Sequence, residues 1–351
     1  MKKFIMKTLW FVVPILLLHL FTFVYYSTAE SPDLLRLGYI IDFYPNYYKT
    51  AFPKTLEQKI NYTLVSEKPI RRKFKVMTIG DSFSEQFGYG YKNYLSKNAA
   101  SKVLHLDRFL ANNQIETLYQ LAQGDFFEQY EVEYVMLQNI ERNFITNIED
   151  INLKKKLTID ELNVLIAKKP QNETRSAGFK FPSNTVLKFP FYTMQYCLKD
   201  TYLFEGTVYK TALSKHFFSV DNQELLFYYN DVVSAKKNNM EDNVRQLNTI
   251  LNDLNALLKK KNVKLIVLPA PDKYDLYYDY IVDKSKLPKP LFFEHLKKMP
   301  KDYIYIDSKS VLSTALAHNR QKDIYFFNDT HWSPWASKLI AATIEKTILA
   351  Q

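Results

Sequence analysis

From residue 73 onward, short apolar runs alternate with longer amphipathic stretches. Five runs are short, rich in β-branched and aromatic residues, and bounded by turn or polar residues, so they predict strands. They cover 74–79, 103–106, 132–137, 263–268 and 303–307. The stretches between them include helical spacing, for example over 115–123. Strands separated by helices predict an α/β fold in which a parallel sheet has helices on both faces.

Two stretches depart from this alternation. Residues 145–230 are too long for an ordinary crossover between strands and are rich in aromatic residues, so they predict an inserted subdomain. Residues 232–261 carry apolar residues at helical spacing. They predict one long amphipathic helix that covers the sheet.

The amino terminus predicts a membrane anchor. Residues 9–26 are apolar and uncharged if His19 is neutral, which is close to the minimum length that spans a bilayer. Basic residues precede the run and few follow it, so the amino terminus is expected inside and the rest outside. The run exceeds a usual signal core, which favours an uncleaved anchor over a signal peptide cleaved near 27–29. A buried helix of a soluble protein is the third alternative.

These patterns divide the chain into three parts. Residues 1–29 form the anchor or signal segment, 30–72 a juxtamembrane segment interrupted by prolines, and 73–351 the α/β domain with its insertion at about 145–230. The predicted location is therefore the inner (cytoplasmic) membrane, crossed once, with the domain in the periplasm or outside the cell.

Composition adds few constraints. The chain has 351 residues, 47% of them hydrophobic, which is ample for a core. The net charge of +10 is spread along the chain, so a solvated lysine-rich surface is favoured over an anionic partner. The sequence contains no nucleic-acid-binding motif, so we do not expect a nucleic acid as a partner. Cys197 is the only cysteine, so an intramolecular disulfide is excluded, and we expect it to be a buried apolar residue.

Two short segments carry the candidate chemistry. Gly80-Asp81-Ser82 ends the first predicted strand, and Asp329-Thr330-His331-Trp332 precedes the last helical pattern. Together they supply the hydroxyl, imidazole and carboxylate that make serine a nucleophile. Ser82 is the predicted nucleophile, His331 the base that accepts its proton, and Asp329 the group that orients the imidazole.

Each segment also has a purely structural interpretation. Gly-Asp-Ser is compatible with a turn in which Ser82 caps a helix, and Asp329 or Thr330 could cap a helix with Pro334 in its first turn. Capping and catalysis are compatible. The remaining histidines lack metal-ligand spacing, so we predict no metal ion and no cofactor.

These segments resemble the first and last blocks of the SGNH hydrolase superfamily. The Asp-x-His-Trp form, together with Pro269-Ala270-Pro271-Asp272-Lys273, is similar to the alginate O-acetyltransferase-like branch, which acetylates bacterial exopolysaccharides. In the alginate enzymes the Asp-x-His block precedes the serine block, whereas here Ser82 comes first. The resemblance is therefore to the superfamily and its site. It implies a three-layer α/β/α, flavodoxin-like parallel sheet.

The resemblance also implies a function. It points to a serine O-acyltransferase that forms an acyl-serine intermediate and acetylates a cell-surface or exported polysaccharide. The acetyl donor would be delivered by a membrane-embedded acyltransferase. A carbohydrate esterase (deacetylase) of the same fold is one alternative. A non-catalytic polysaccharide-binding or assembly factor is another, because an expected oxyanion glycine is missing.

Oxyanion groups are the least determined part of the predicted site. The superfamily places a glycine after the second strand and an asparagine after the third; residues 107–109 contain no glycine. Asn139 is the candidate donor and Arg142 the alternative, while Glu141-Arg142 resembles a pair in the acetyltransferase branch. An internal ion pair is the structural alternative for Arg142. Lys273 is a candidate substrate contact, with a surface lysine as its alternative.

Overall fold

The computed structural model describes residues 1–28, 32–53, 55–56, 58–70, 72–97, 102–168, 184–199, 201, 206–220, 223–318 and 322–350. The strands of this part of the chain are β1 (Thr63–Leu64), β2 (Lys73–Ile79), β3 (Val103–Leu106), β4 (Glu131–Ile140), β5 (Val208–Ala212), β6 (Glu224–Tyr228), β7 (Lys264–Ala270) and β8 (Ile304–Tyr305).

Six of these strands form one parallel sheet in the order β1-β3-β2-β4-β7-β8. Apart from β1, this is the flavodoxin-like order, in which the direction of winding reverses between β2 and β4. The predicted parallel α/β fold and its five strands are confirmed. The sheet differs from the prediction in the additional edge strand β1 and in β4, which continues to Ile140.

The helices of the described residues lie mostly between these strands. They are α1 (Lys2–Thr28), α2 (Asp33–Gly38), α3 (Tyr47–Ala51), α4 (Tyr91–Lys97), α5 (Gln114–Gln123), α6 (Phe126–Gln129), α7 (Glu141–Phe144), α8 (Thr146–Glu149), α9 (Ile159–Ala167), α10 (Asn184–Leu198), α11 (Tyr229–Asn238), α12 (Glu241–Lys259), α13 (Lys273–Tyr277), α14 (Phe292–Lys298), α15 (Ser308–Ala317) and α16 (Pro334–Leu349).

The sheet separates two hydrophobic cores, which gives the three layers. On one face, Val76, Met136 and Ile266 pack with apolar residues of α4, α15 and α16. On the other, Met77 and Leu265 pack with α5, α12 and α14. Alternate residues of a strand point to opposite faces, so strands buried on both faces are apolar throughout. This explains why continuous apolar runs predicted the strands correctly.

The prediction of one helix over 232–261 is wrong, because α11 and α12 are separate. The chain is extended at Met240 (φ −76°, ψ 112°). The side chain of Asn239 donates to the Lys289 carbonyl at 2.8 Å and accepts from the Leu291 amide at 2.7 Å. These bonds anchor the break to another part of the chain. The apolar spacing also predicted that Val233 faces the sheet, whereas its side chain is 51% exposed.

The region 145–230 contains α8, α9, α10 and the antiparallel pair β5-β6. Its residues 169–183, 200, 202–205 and 221–222 lie outside the described residues, and its status as a separate inserted subdomain stays a prediction. Cys197 lies on α10 and is exposed, so the expectation of a buried cysteine is wrong. This side of α10 is not covered by the core.

Within the described residues, α1 is the one helix long and apolar enough to cross a membrane. A signal sequence near the amino terminus can meet the same criterion of length and hydropathy, and the candidate cleavage residue Ala29 lies outside the described residues. The following segment, 30–72, contributes α2, α3 and β1, and β1 pairs with β3 in the central sheet. The division at residue 72 stays a prediction.

Candidate active site

Ser82 lies at the carboxyl edge of the sheet, in the turn that follows β2. Gly80 is required there because a Cβ atom at this position would lie 2.1 Å from Ser84 Oγ and 2.6 Å from Gln138 Oε1. The Asp81 carboxylate accepts from the Phe83 amide at 2.9 Å and from the Ile140 amide at 2.6 Å. The turn is thereby tied to the end of β4, at the point where the winding of the sheet reverses.

His331 reaches Ser82 from a loop that folds back on itself. Tyr325 and Trp332 form an antiparallel bridge, and the Phe326 amide donates to the His331 carbonyl at 3.1 Å. His331 Nε2 lies 2.7 Å from Ser82 Oγ, and His331 Nδ1 lies 2.5 Å from Asp329 Oδ1. The structure therefore brings the three predicted catalytic residues into one hydrogen-bonded line.

The charges of Asp329 and His331 stabilise each other. Burial opposes ionisation of Asp329, but the charge and hydrogen bonds of His331 lower the pKa of Asp329 to about 2. Burial alone would lower the pKa of His331, yet the Asp329 carboxylate raises it. Asp329 is thus ionised at neutral pH and stabilises the imidazolium that forms when His331 accepts a proton.

Two neighbours of Ser82 hold the histidine loop against the serine turn. Gln86 Oε1 accepts from Trp332 Nε1, and Gln86 Nε2 donates to the Trp332 carbonyl, both at 2.7 Å. The ring of Phe83 lies 4.8 Å from the His331 ring and 5.1 Å from the Trp332 ring. Trp332, which is fully buried, therefore fixes the position of the preceding histidine.

Lys273 forms hydrogen bonds to the loop that carries His331. It is fully buried, and its ammonium donates to the carbonyls of Phe326 (2.8 Å), Phe327 (2.6 Å) and Asp329 (3.3 Å). Burial lowers the pKa of Lys273 to about 7. The surface-lysine alternative is wrong, because no part of the side chain reaches solvent. A substrate contact is not supported, since an ammonium has three N–H groups and all are in use.

Residues from the segment 30–72 complete the surroundings of the loop. Tyr47 Oη accepts from the Phe327 amide at 3.0 Å and donates to Asp323 Oδ1 at 2.8 Å. Asp33 contacts the loop at Asp329, Thr330 and His331. The possible ligand atoms of Asp33, Asp329 and His331 lie within 4.8 Å of one another, close enough to surround a cation. In the geometry described, however, His331 Nδ1 is used by Asp329.

The two candidate oxyanion residues occupy different environments. Asn139 was predicted to follow a strand, but β4 continues past it, and its side-chain amide is fully buried without a hydrogen-bond partner among the described residues. Arg142 lies in α7, and its Nη1 contacts Asp231 at 3.0 Å and Asp272 at 2.7 Å. The internal ion pair expected for Arg142 is therefore present. An oxyanion role stays a prediction for both residues.

The backbone amide of Ser82 is a further oxyanion candidate. The neighbouring amides of Phe83, Ser84 and Glu85 donate within the turn, but no described acceptor takes the Ser82 amide. The helix expected to begin beside Ser82 starts only at Tyr91, so the turn alone orients this amide.

The capping interpretations of both segments are wrong. No helix begins at Ser82. The cap of α16 is Ser333, whose side chain accepts from the Trp335 amide at 3.1 Å, with Pro334 as the first helical residue. Asp329 and Thr330 lie upstream of this cap, so their side chains remain available to the site.

Comparison with known proteins finds a similar family. The model of a family described as SGNH hydrolase-like domain, acetyltransferase AlgX, matches residues 224–351. The matched part contains Lys273, Asp329 and His331, whereas Ser82 lies outside it. No curated protein and no solved structure matches the chain. The resemblance to the SGNH hydrolase superfamily is confirmed. Within it, the similarity is to the acetyltransferase branch represented by AlgX, which supports an acyl-transferring, hydrolase-like enzyme.

Several residues around the site could not be predicted from the sequence. Gln86, Tyr47 and Asp33 lie in no recognisable motif, and each acts on a segment more than 200 residues away. The only sequence signal was general: Gln86 lies four residues after the serine, and the aromatic clusters of 30–72 indicated packing on the domain.

Proposed function

We propose that the chain is a membrane-anchored serine O-acyltransferase that acts outside the cytoplasm and acetylates a polysaccharide. The observation that carries this proposal is the continuous hydrogen-bonded line from Asp329 through His331 to Ser82. Such a line is the arrangement by which a serine hydroxyl becomes a nucleophile.

The first half-reaction transfers the acyl group to serine. His331 Nε2 accepts the proton of Ser82 as Oγ attacks the carbonyl carbon of the donor ester. The Ser82 amide stabilises the oxyanion that forms, and Arg142 is the second candidate donor. His331 then returns the proton to the departing alcohol of the donor, which leaves an ester on Ser82.

The second half-reaction transfers the acyl group to the acceptor. An acceptor hydroxyl gives its proton to His331 and attacks the carbonyl carbon of the acyl-serine. The serine–acyl bond breaks, Ser82 regains the proton from His331, and the acetylated acceptor leaves. Water can replace the acceptor at this step. Transfer and hydrolysis therefore differ in the acceptor that occupies the site.

One feature supports transfer over hydrolysis, and another supports a sugar as the acceptor. The matched family is described as an acetyltransferase. Tyr228 is half-buried, and its ring lies 5.6 Å from the Arg142 guanidinium. Burial raises the pKa of Tyr228, and the charge of Asp33 raises it slightly further while that of Arg142 lowers it, which supports a position of the ring near the candidate site. A partly exposed tyrosine ring beside a charged group is suited to stacking on a sugar ring.

The proposed location follows from α1. Basic residues before it and few immediately after it favour a single crossing with residues 32–350 outside the cytoplasmic membrane. We propose that a membrane-embedded acyltransferase supplies the acetyl donor at this surface. Protease added to intact spheroplasts should then digest the domain; digestion only after lysis would contradict this orientation.

The activity is tested with the full chain in detergent. Purified protein is incubated with p-nitrophenyl acetate and a panel of bacterial oligosaccharides, and products are followed by mass. We expect acetylated sugar with the native chain and none with Ser82→Ala, which keeps the fold but lacks the nucleophile.

The products separate the alternatives. Free acetate without acetylated sugar, across the whole panel, would favour the esterase. Sugar binding without any acetate release would favour the non-catalytic binding factor.

A further inference from the structure

Asp33 is a second carboxylate at the candidate site, and it comes from the other end of the chain. It is the first residue of α2, and four residues separate it from the end of α1 at Thr28. Its Oδ2 lies 3.6 Å from His331 Nδ1, on the same side of the imidazole as Asp329. The Asp33 side chain is 20% exposed, so the charge is largely screened from solvent by protein.

Asp33 makes three hydrogen bonds to the loop that carries the histidine. Its backbone amide donates to Asp329 Oδ2 at 3.2 Å. Its carboxylate accepts from the Thr330 amide at 2.8 Å and from Thr330 Oγ1 at 2.5 Å. The residue between Asp329 and His331 is thereby clamped. Both oxygens of the Asp329 carboxylate also have a partner, because Oδ1 accepts from His331.

The charge of Asp33 influences the protonation of His331, as the charge of Asp329 does. Both carboxylates favour the imidazolium form of His331, and both contribute to raising its pKa. Burial and the charge of Asp329 raise the pKa of Asp33 itself. Other titratable groups close enough to act on His331, Asp329 or Asp33 are Asp81, Asp231, Lys273, Tyr48, Tyr89 and Tyr228.

We propose that Asp33 is a positioning residue of the triad: it orients Asp329 and Thr330 and places a second negative charge beside His331. This inference deepens the proposed function and rests on it. The segment that follows the membrane helix thereby completes the site. Because five Cα–Cα steps span at most roughly 19 Å, the end of α1 lies within that distance of Asp33.

The test separates the charge of Asp33 from its hydrogen bonds. Asp33→Asn keeps a side chain that can accept from Thr330 but removes the charge, so the imidazolium of His331 becomes less favoured. Catalysis needs neutral His331, and the acid limb of the kcat/KM profile with p-nitrophenyl acetate should therefore move to lower pH. We expect kcat on the plateau to stay within about threefold.

Asp33→Ala removes both bonds from Thr330. We expect kcat to fall about tenfold or more, because hydrogen bonds to a charged group are strong and a tenfold change in rate needs only a small free energy. Asp42→Asn is the matched control. Asp42 lies in the same segment and accepts from the Tyr44 amide at 2.8 Å. It should leave both kcat and the pH profile unchanged.

A titration of His331 makes the result independent of turnover. The histidine side chains of the full chain are labelled with ¹³C, and His331→Gln identifies the signal. Asp33→Asn should move the titration of His331 to lower pH even if the chain proves to have no transferase activity. An unchanged titration and acid limb in Asp33→Asn would overturn the role of the charge, and an unchanged kcat in Asp33→Ala would overturn the positioning role.

Discussion

The two sides of the candidate triad are built in different ways. The serine side, residues 80–92, is held by contacts close in sequence and by the adjoining strand β4. The histidine side, residues 324–333, depends on Lys273, Tyr47 and Asp33, all distant in sequence. A nucleophile can therefore be positioned by a strand and its turn, whereas the base and acid need supports from the rest of the chain.

Two buried lysines give the strongest comparison. Lys273 supports three carbonyls of the histidine side. Lys92, on the serine side, is also fully buried but makes no hydrogen bond to a described residue; its ammonium lies 3.6 Å from Glu85 Oε2 and 4.2 Å from the centre of the Tyr62 ring. Burial lowers the pKa of Lys92 to about 8.

Lys273→Met should therefore be the more damaging change. It leaves three carbonyls without their donor, and we expect the free energy of unfolding to fall by about 3 kcal/mol or more. Lys92→Met should change it by less than about 1 kcal/mol, because the Glu85 side chain is 30% exposed to solvent and keeps its contacts with His105 and the Arg108 amide. Chemical denaturation of the full chain in detergent measures both values. Equal losses would contradict the proposed difference between the two sides.

The serine side should be destabilised by any added side-chain volume in its turn. Gly80→Ala places a methyl group against Ser84 and Gln138, which are hydrogen-bonded to each other at 2.8 Å and cannot both move away. We expect a loss of about 1–3 kcal/mol in the free energy of unfolding.

Gly206→Ala is the control for Gly80→Ala. Among the described residues, the atoms nearest to the new methyl group there belong to the ring of Tyr192, the first of them at 3.0 Å. The same denaturation measurement should give a smaller loss. If Gly80→Ala unfolded no more easily than Gly206→Ala, the tight packing assigned to the serine turn would be wrong.

A smaller effect is expected from a single hydroxyl of the histidine side. Tyr47→Phe removes the group that bridges the Phe327 amide and Asp323, at a cost of about 1–2 kcal/mol. Tyr48→Phe is the matched control, because the Tyr48 hydroxyl makes no hydrogen bond to a described residue, and it should cost less than about 0.5 kcal/mol. Unfolding curves that coincide for the two variants would show that the bridge does not stabilise the loop.

The same difference explains what the sequence could predict. The central strands were predictable because strands buried on both faces are continuous apolar runs. Ser82, Asp329 and His331 were predictable because each lies in a short motif with recognisable chemistry. The break between α11 and α12 was not, because Asn239 bonds to residues about 50 positions away. Asp33 and Tyr47 were missed for the same reason, since their partners lie almost 300 residues further along the chain.

The burial of Lys273 shows where motif reasoning reaches its limit. In the sequence Lys273 follows the fourth predicted strand, but the direction of its side chain depends on the loop 326–329 that folds over it. A residue type and a strand end therefore predicted a position near the site. The role required the tertiary structure.

The most direct test of the triad is covalent labelling of the serine. A serine-directed fluorophosphonate is added to the full chain, and the peptide 76–92, released by cleavage after Lys75 and Lys92, is sequenced by mass spectrometry. This peptide contains both Ser82 and Ser84, so Ser84 is an internal control. We expect the label on Ser82 alone, no label with Ser82→Ala, and strongly slowed labelling with His331→Ala. Equal labelling of the native chain and Ser82→Ala would contradict the proposal that Ser82 is the nucleophile.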